Sequence, residues 1–377
     1  MKPLFVEVSQ KLLSNALQYV TNAVPARSII PILSGIKLKV GPCGMTLTAG
    51  TIDMMLQYEI PYEKDHMSVH ESGSMVIPAR LFTEIIRNLP IGLVTLETKK
   101  GLNVVIRSGK AAYHLSGMDP EVYPQISNFE YSQMISLPND QFRKIIKQVC
   151  FAISSSDSRP VLTGVSCQFD NENLRLVATD GIRLASRVIN VGNKLIKNFS
   201  NVIIPGKHLS NYSKMLHDEQ AATDISIGDN KITFKTNNLI MQSSLIEGTF
   251  PSLDKLTPDA FTTEITFDSI IFLRSIERAS LLAEEHNIVK LHISSNNIIE
   301  LSSRATGIGD VLEEVEFDEL YGDQISVCFN IKYMIDIMRS VDCSKVKIRF
   351  SGKWNPIIVQ PIDNQTSLYI MTPIRSH

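Results

Sequence analysis

The feature that most constrains the fold of this 377-residue chain is an internal repeat. The sequence P-I-L-S-G at residues 31–35 returns as P-V-L-T-G at residues 160–164, which is 129 residues later. The sequence V-I-P-A-R-L at residues 76–81 is matched by I-I-P-G-K-H-L at residues 203–209, and V-C-F-N-I-K-Y at residues 327–333 takes the same place in a third copy. A recurring period marks a structural unit that is used more than once, so we expect three similar domains.

Each copy of the repeat contains the same order of predicted elements. Apolar residues at helical spacing open each copy, and stretches of alternating apolar and polar residues, which predict half-buried strands, follow them. A second predicted helix begins just after the matched V-I-P, I-I-P and V-C-F segments. The sequence therefore predicts an α+β fold with three tandem domains, at residues 1–127, 128–253 and 254–377. Each is expected to pack two helices on two groups of antiparallel strands.

The six predicted helices fall within residues 9–23, 78–89, 139–153, 205–217, 268–283 and 330–341. In the fifth of them we expect the buried stripe to consist of Ile270, Leu273, Ile276, Leu281 and Leu282. Together the six segments carry a net charge of +7, whereas the whole chain carries −2, so the remainder carries −9. Exposed helix faces favour lysine and arginine in any protein. The pattern over all six helices nevertheless suggests that they face an anion together.

No recognised catalytic motif occurs in the sequence. The Gly-Lys pairs at residues 109–110, 206–207 and 352–353 are not followed by the Ser or Thr that a phosphate-binding loop requires. His66 and His70 are four residues apart, but their charged surroundings indicate a solvated loop and not a metal site. Asp180 precedes a glycine after an alternating strand, a pattern that favours a turn over a catalytic acid or base. We expect no enzyme activity, no cofactor and no metal.

Composition places the chain among ordinary globular proteins, with 44% hydrophobic and 20% charged residues. Its five cysteines are odd in number and never spaced as C-x-x-C, which is typical of reduced thiols in a cytoplasmic protein. No signal peptide is readable at the N-terminus, and no apolar stretch approaches the length of a membrane span. We therefore expect a cytoplasmic protein with no membrane partner.

Five local sequences are distinctive in their order and spacing; they are S-R-P-V-L-T-G at 158–164, A-T-D-G-I-R-L-A at 178–185, E-G-T-F-P at 247–251, F-N-I-K-Y at 329–333 and T-P-I-R at 372–375. Together they resemble the bacterial sliding clamp family, the beta subunit of DNA polymerase III, over essentially the whole chain. The resemblance implies a non-enzymatic processivity factor of the replicative DNA polymerase. Two protomers of such a protein meet head-to-tail and close a six-domain ring around duplex DNA, with the helices lining the hole.

The resemblance also implies two sets of site residues. The DNA-facing candidates are Arg27, Arg80, Arg87, Arg143, Lys144, Lys147, Lys207, Lys214, Arg274, Arg278 and Lys332. A hydrophobic cleft between the second and third domains is expected to bind short peptide motifs of partner proteins. Its candidates are Leu162, Thr179, Gly181, Ile182, Arg183, Leu184, Pro251, Lys255, Leu256, Asn330, Tyr333, Met371, Thr372, Pro373, Ile374 and Arg375. From the residues alone, Leu162, Leu184 and Ile374 fit ordinary core packing as well.

The implied partners are double-stranded DNA, a second copy of the chain, the replicative polymerase, the clamp loader and other proteins of replication and repair that carry the peptide motif. Two positions depart from the family pattern. Ile182 replaces a residue that is commonly polar, and His286 stands where some members have an aromatic wall. The departures leave open a specialised second clamp with altered partner choice. A peptide-binding scaffold that uses the same cleft without a DNA role is a further alternative.

Overall fold

The computed structural model describes residues 3–126, 134–170, 172–192, 201–228, 230–252, 257–258, 260–283, 287–294, 296, 298–364 and 366–375. The chain divides into two compact units. Unit 1 contains Met1–Asp140 and Lys214–Leu245, and unit 2 contains Gln141–Ser213 and Ile246–His377. The second copy of the repeat therefore contributes strands to both units.

The helices of the described residues all lie within the predicted segments; they are α1 (Gln10–Val20), α2 (Ala79–Asn88), α3 (Asn139–Cys150), α4 (Gly206–Lys214), α5 (Ser269–Ala279) and α6 (Ile331–Ser340). The strands of the first copy are β1 (Phe5–Ser9), β2 (Gly35–Gly41), β3 (Gly44–Gly50), β4 (Met54–Pro61), β5 (Met67–Glu71), β6 (Ser74–Pro78), β7 (Leu93–Lys99), β8 (Asn103–Ser108) and β9 (Ala111–Ser116).

The strands of the second copy are β10 (Met134–Pro138), β11 (Gly164–Asp170), β12 (Asn173–Thr179), β13 (Arg183–Asn190), β14 (Val202–Pro205), β15 (Ala222–Ile227), β16 (Lys231–Thr236) and β17 (Leu239–Ser244). Those of the third copy are β18 (Thr263–Asp268), β19 (Ile288–Ile293), β20 (Ile299–Ala305), β21 (Gly309–Glu314), β22 (Glu319–Gly322), β23 (Ser326–Asn330), β24 (Lys345–Phe350), β25 (Ile357–Pro361) and β26 (Ser367–Met371). The matched segments form matching structure, since β6, β14 and β23 each run directly into a helix.

Unit 1 contains two antiparallel sheets, with strand orders β5-β1-β7-β8-β9 and β10-β15-β16-β17-β4-β3-β2-β6. The eight-stranded sheet combines strands of the first two copies, because β17 pairs with β4 and places Leu239 opposite Tyr58. Helix α1 packs on β3, β4 and α2 through its buried side chains, among them Leu13 and Leu17. The Gln10 side-chain amide donates to the Ile86 carbonyl at 2.8 Å and joins the two helices.

Unit 2 repeats this arrangement with sheets of nine and four strands, in the orders β14-β11-β12-β13-β26-β25-β24-β18-β22 and β21-β20-β19-β23. Here β13 of the second copy pairs with β26 of the third, and Arg183 lies opposite Met371. Helices α5 and α6 pack against each other, and Arg339 of α6 forms an ion pair with Glu277 of α5 at 2.7 Å. Each copy thus shares a continuous sheet with the next, which covers strand edges that would otherwise be open.

The predicted stripe of the fifth helix is wrong in its phase, although one of its members, Ile276, is buried as expected. Asp268 caps α5 by accepting from two backbone N–H groups, and the helix then buries Phe272, Ile276 and Ala279, at i, i+4 and i+7. Ile270 is 62% exposed, and Leu281 lies beyond the end of α5. The sequence has large apolar residues on both faces of this helix, so spacing alone could not identify the buried one.

Two smaller points concern single residues and the membrane. His70 is not in a loop, because it lies on β5, where its ring is 4.4 Å from that of Phe5 and its Nε2 is 3.4 Å from Glu7. His66 lies in the preceding turn, as expected. Among the described residues, no helix combines the length and apolar character that a membrane crossing needs.

The corrected phase of α5 gives a stability prediction. Phe272 is fully buried and stacks on Phe267 with ring centres 4.3 Å apart. We expect Phe272→Ala to lower the free energy of unfolding by about 3–5 kcal/mol, because it leaves a cavity in a packed core. Ile270→Ala, two residues away on the exposed face, serves as the control. Urea unfolding followed by circular dichroism measures both, and equal losses in the two variants would contradict the assignment.

Candidate functional site

The sequence A-T-D-G-I-R forms a tight polar turn between β12 and β13 of unit 2. The Thr179 hydroxyl donates to the Arg183 carbonyl at 2.6 Å and accepts from the Gly181 N–H at 3.0 Å. One Asp180 carboxylate oxygen accepts from the N–H groups of Ile182 and Arg183, both at 2.9 Å. Gly181 has φ 91°, in the left-handed region that favours glycine. Asp180 is therefore a turn residue, as the sequence predicted.

The side chain of Arg183 connects this turn to helix α6. Its Nε donates to Asp180 at 3.1 Å, its Nη1 to Asp336 at 2.5 Å and its Nη2 to the Phe151 carbonyl at 2.8 Å. The guanidinium carbon lies 4.3 Å from the centre of the Tyr333 ring, within the range of a cation–π contact. The side chain is only 11% exposed. Arg183 thus joins residues of the second and third copies inside unit 2.

The C-terminal segment lies beside the turn. The Thr372 N–H donates to the Ile182 carbonyl at 2.9 Å, which continues the pairing of β13 with β26. The Ile374 N–H donates to the Cys328 carbonyl at 2.7 Å. Cys328 lies two residues before Asn330, the residue that precedes α6. Asn330 is the cap, because its side-chain oxygen accepts from the N–H groups of the second and third helical residues. The turn, the tail and the start of α6 therefore meet at one place.

An apolar cluster supports this place from within the sheet. Leu184 packs with Val177, Ile358 and Ile370, and Phe250 is one of the partly buried residues that cover the cluster. The segment that contains Phe250 also lies against Val161, three residues before β11 begins, since a Cβ added to Gly248 would be 2.7 Å from the Val161 side chain. Two cleft candidates are the next residues along the chain, because Leu162 follows Val161 and Pro251 follows Phe250.

The structure separates the cleft candidates by their exposure. The exposed ones are Gly181, Ile182, Pro251, Thr372 and Arg375, and the partly exposed ones are Arg183, Asn330, Tyr333 and Ile374. The buried ones are Leu162, Thr179, Leu184, Met371 and Pro373, so core packing describes Leu162 and Leu184 in this structure. Lys255, Leu256 and His286 lie outside the described residues.

Sequence reasoning missed two residues at this place. Asp336 binds Arg183, and its position three residues after Tyr333 on α6 is a helical spacing that places both on one face. Trp354, the only tryptophan of the chain, is 45% exposed, and its ring lies 6.0 Å from the guanidinium of Arg375. The helical spacing of Tyr333 and Asp336 could have been recognised in the sequence. Nothing in the sequence around Trp354, in the β24–β25 turn, indicated that it lies near Arg375.

The basic candidates lie mainly on the exposed faces of the helices. In unit 1, Arg80 and Arg87 are exposed on α2, Lys214 ends α4, and Arg27 is exposed in the loop after α1. In unit 2, α3 to α6 carry the remaining candidates, which are Arg143, Lys144, Lys147, Lys207, Arg274, Arg278 and Lys332. All of these except the partly exposed Arg143 are exposed. The helices bury their apolar stripes and present lysine and arginine outward.

Carboxylates neutralise only some of these cations. Arg278 forms a two-point ion pair with Glu313, Lys144 lies 3.3 Å from Asp342, and Arg80 lies 3.4 Å from Glu84. The Glu313 contact raises the pKa of Arg278. Seven candidates have no ion pair among the described residues, namely Arg27, Arg87, Lys147, Lys207, Lys214, Arg274 and Lys332. These seven are the cations most available to an anion.

Among the described residues, no three His, Cys, Asp or Glu side chains form a group that could hold a metal ion.

Comparison with known proteins assigns this architecture to a family. Models of the DNA polymerase III beta subunit match the chain in three parts: the N-terminal domain at residues 4–127, the central domain at residues 136–252 and the C-terminal domain at residues 254–375. The chain belongs to the DNA polymerase III beta subunit family. The three-part match confirms the three tandem domains that the repeat predicted, and it confirms the clamp family that the resemblance indicated.

Individual members of the family are similar along nearly their whole length. The beta sliding clamp of Bacillus subtilis is 34% identical over 375 residues, which cover 98% of this chain and 99% of that protein. The beta sliding clamp of Staphylococcus aureus is 34% identical over 360 residues, 94% of this chain and 95% of that one. The crystal structure of the B. subtilis clamp aligns with a TM-score of 0.95 over 99% of this chain and all of that one. A DNA polymerase III beta chain of Streptococcus pneumoniae, 29% identical, gives 0.93 over the same shares.

The β12–β13 turn gives a second stability prediction. An alanine at position 181 would have room for its Cβ, but it would have to adopt φ 91°. We expect Gly181→Ala to lower the free energy of unfolding by about 1 kcal/mol, because only the backbone conformation is strained. Gly41→Ala, at a glycine with equal space and no positive φ, is the matched control and should be neutral or slightly stabilising. A Gly181→Ala protein that unfolds at the same urea concentration as the parent would refute the strain.

Proposed function

We propose that the chain is the processivity factor of a replicative DNA polymerase, which encircles duplex DNA without sequence specificity and tethers the polymerase to it. Its membership of the DNA polymerase III beta subunit family carries this proposal. In this role it is an accessory subunit without a chemical step of its own. Its partners would be DNA, a second copy of itself, the polymerase, the clamp loader and other proteins that carry a clamp-binding peptide. The DNA contact, the ring and the peptide cleft each have separate support.

The pairing of strands between copies of the repeat supports a head-to-tail ring. In both shared sheets, the fourth strand of one copy pairs with the last strand of the next: β4 with β17, and β13 with β26. By the same correspondence, the fourth strand of the third copy is β21 and the last strand of the first copy is β9. Each of these ends its own sheet, and each is mainly exposed. Pairing β21 with β9 of a second protomer would complete the series and cover both edges.

The β4–β17 pair also supplies a register for that contact. The hairpin between β3 and β4 has Met55 as the first paired residue of its second strand. Tyr58, three residues later, lies opposite Leu239, which is the first residue of β17 after its own two-residue turn. The corresponding positions follow from the same hairpin pairs in β21 and β9.

In the β20–β21 hairpin the first paired residue is Gly309, and three residues later stands Leu312. The first residue of β9 after its two-residue turn is Ala111. The transferred register therefore places Leu312 opposite Ala111 of the partner protomer. It also places Glu313 opposite Lys110, which brings opposite charges together at the ring contact.

This register predicts a disulfide between protomers. In a protein with exposed Cys43 replaced by serine, Ala111→Cys together with Leu312→Cys should give a covalent dimer on mild oxidation, since directly opposed Cβ atoms lie about 4.5–5.5 Å apart. A non-reducing gel reads the result, with a protomer of 42.1 kDa as the reference. Leu115→Cys with Leu312→Cys, four residues out of register, is the control. Cross-linking of both pairs alike, or of neither in a protein that is monomeric, would reject this contact.

The exposed basic helix faces support the DNA contact. A duplex carries its charge on the phosphates, so lysines and arginines that approach it from a helix face bind without reading bases. Contacts of this kind are weak one by one and exchange readily, which suits a protein that slides. The ring would supply the persistence that the individual contacts lack.

Charge reversal tests the DNA contact. We expect the combined variant Lys147→Glu, Lys207→Glu and Arg274→Glu to remain on nicked circular DNA for a time shorter by roughly tenfold or more at low salt, because three phosphate contacts become repulsive. The measurement follows labelled protein on the circle after loading, and linearising the circle should release the parent protein. The difference between variant and parent should shrink as salt is raised.

The control for that experiment reverses three exposed lysines outside the helices, Lys64, Lys100 and Lys353. It changes the net charge equally, so a similar loss in the control would mean that total charge matters and the helix faces do not. A parent protein that stays on linear DNA as long as on circles would overturn encirclement.

The meeting place of the β12–β13 turn, the C-terminal segment and α6 supports a peptide cleft. Ile182 and Pro251 offer exposed apolar surface there, while Asn330, Thr372 and Arg375 offer polar groups for a peptide backbone. Of the cleft candidates, the buried ones would form its floor. Ile182 is 50% exposed, so it can contact a bound peptide directly. We expect it to favour an apolar peptide residue, whereas the polar residue that is common at this position in the family would favour a polar one. This favours a clamp with altered partner choice as the second candidate function.

A further inference from the structure

The guanidinium of Arg183 is bound mainly by groups of its own chain. Three of the five N–H groups of an arginine are used, by Asp180, Asp336 and the Phe151 carbonyl. One face of the group is covered by the Tyr333 ring at 4.3 Å. With 11% of the side chain exposed, little of it is available to a peptide that approaches from solvent.

The contacts of Arg183 fix the distance between two walls of the cleft. On one side Asp180 belongs to the turn that exposes Gly181 and Ile182. On the other side Asp336 lies three residues after Tyr333 on α6, so that an arginine that binds the carboxylate also stacks on the ring. A change in either acidic partner would alter how the turn and the helix face each other.

We propose that Arg183 and Asp336 form a positioning pair that sets the spacing between the β12–β13 turn and Tyr333, and that Arg183 does not itself bind the partner peptide. The proposal rests on the proposed peptide-binding function and assigns to Asp336 a role in it. In this arrangement the affinity for the peptide depends on the Arg183–Asp336 ion pair, which lies beneath the surface that contacts the peptide. The pair joins residues 153 positions apart in the chain.

The two possible roles of Arg183 predict opposite effects when the Asp336 charge is removed. If Arg183 bound the peptide directly, loss of a competing carboxylate would leave affinity unchanged or raise it. If Arg183 positions the walls, Asp336→Asn leaves a largely desolvated cation with one charged partner fewer and allows Tyr333 to move away from the turn. Affinity then falls although no peptide contact has been changed.

The test uses the full-length protein and fluorescent 12-residue peptides that together span the replicative polymerase of the same organism. The tightest binder is carried forward, and its dissociation constant is measured by fluorescence anisotropy. We expect Asp336→Asn to weaken binding about tenfold, as the loss of one partly buried charge-assisted hydrogen bond would. Asp336→Glu, which keeps the carboxylate, should restore most of the affinity.

The matched control is Asp342→Asn, because Asp342 follows the end of α6 and pairs with Lys144 at 3.3 Å, with both side chains more than 60% exposed. It should bind the peptide as the parent does and keep the parent's thermal midpoint within about 2 °C, since exposed ion pairs contribute little stability. Binding of both variants is measured well below their thermal midpoints, because Asp336→Asn leaves the largely buried Arg183 with one charged partner fewer. Equal weakening by the two variants, or unchanged or tighter binding by Asp336→Asn, would overturn the proposal while peptide binding stands. A parent protein that binds none of the peptides would instead remove the proposed peptide function.

Discussion

Antiparallel strand pairing between successive copies of the repeat is the constraint on which the rest of the structure depends. A single copy has two groups of strands, and each group would end in open N–H and C=O groups if it stood alone. The β4–β17 and β13–β26 pairs satisfy those edges twice within the chain. The β9 and β21 edges lie in the five-stranded and four-stranded sheets, which receive strands from one copy only. A linear series of copies with this pairing rule leaves one edge of each kind at its two ends, and these are the edges that the proposed head-to-tail ring would pair.

The shared sheets also determine where functional side chains can lie. Because β13 and β26 are neighbours, the turn before β13 and the segment after β26 emerge at the same end of the nine-stranded sheet. The start of α6 reaches that end through the short bridge between Cys328 and Ile374. A site assembled from three separate segments thus needs only the strand register to bring them together. The burial of Leu184 and Met371 beneath it keeps that register in place.

The sequence predicted those features of the fold that depend on residues close together in the chain. Helical spacing located the first helix of each copy, and the matched V-I-P, I-I-P and V-C-F segments located the second, because both signals lie within a few neighbouring residues. The recurrence of these segments predicted the three α+β domains. The apolar stripe predicted for α5 was wrong in phase, because α5 has apolar residues on both faces. The buried face is identified only by the packing of Phe272 against Phe267 in the structure. The Arg183–Asp336 pair was out of reach for a related reason. No local rule connects two residues that meet only after the strands have paired.

The sequence predicted how much positive charge the helices carry, but it did not predict which of those charges are left without an ion pair. The excess of lysine and arginine on the helices is a property of the sequence, whereas the neutralisation of Arg278 depends on Glu313 in a distant strand. Glu277 likewise binds Arg339 instead of its own neighbour Arg278. The acidic residues of α5 and β21 therefore remove specific arginines from the exposed positive surface and leave Arg274 and Lys332 in it. A weak and uneven positive surface is what a sliding protein requires, since a strong and continuous one would hold DNA in place by its phosphates. Persistence on DNA then has to come from topology, and the exposed edges of β9 and β21 are the strands through which a closed ring could form.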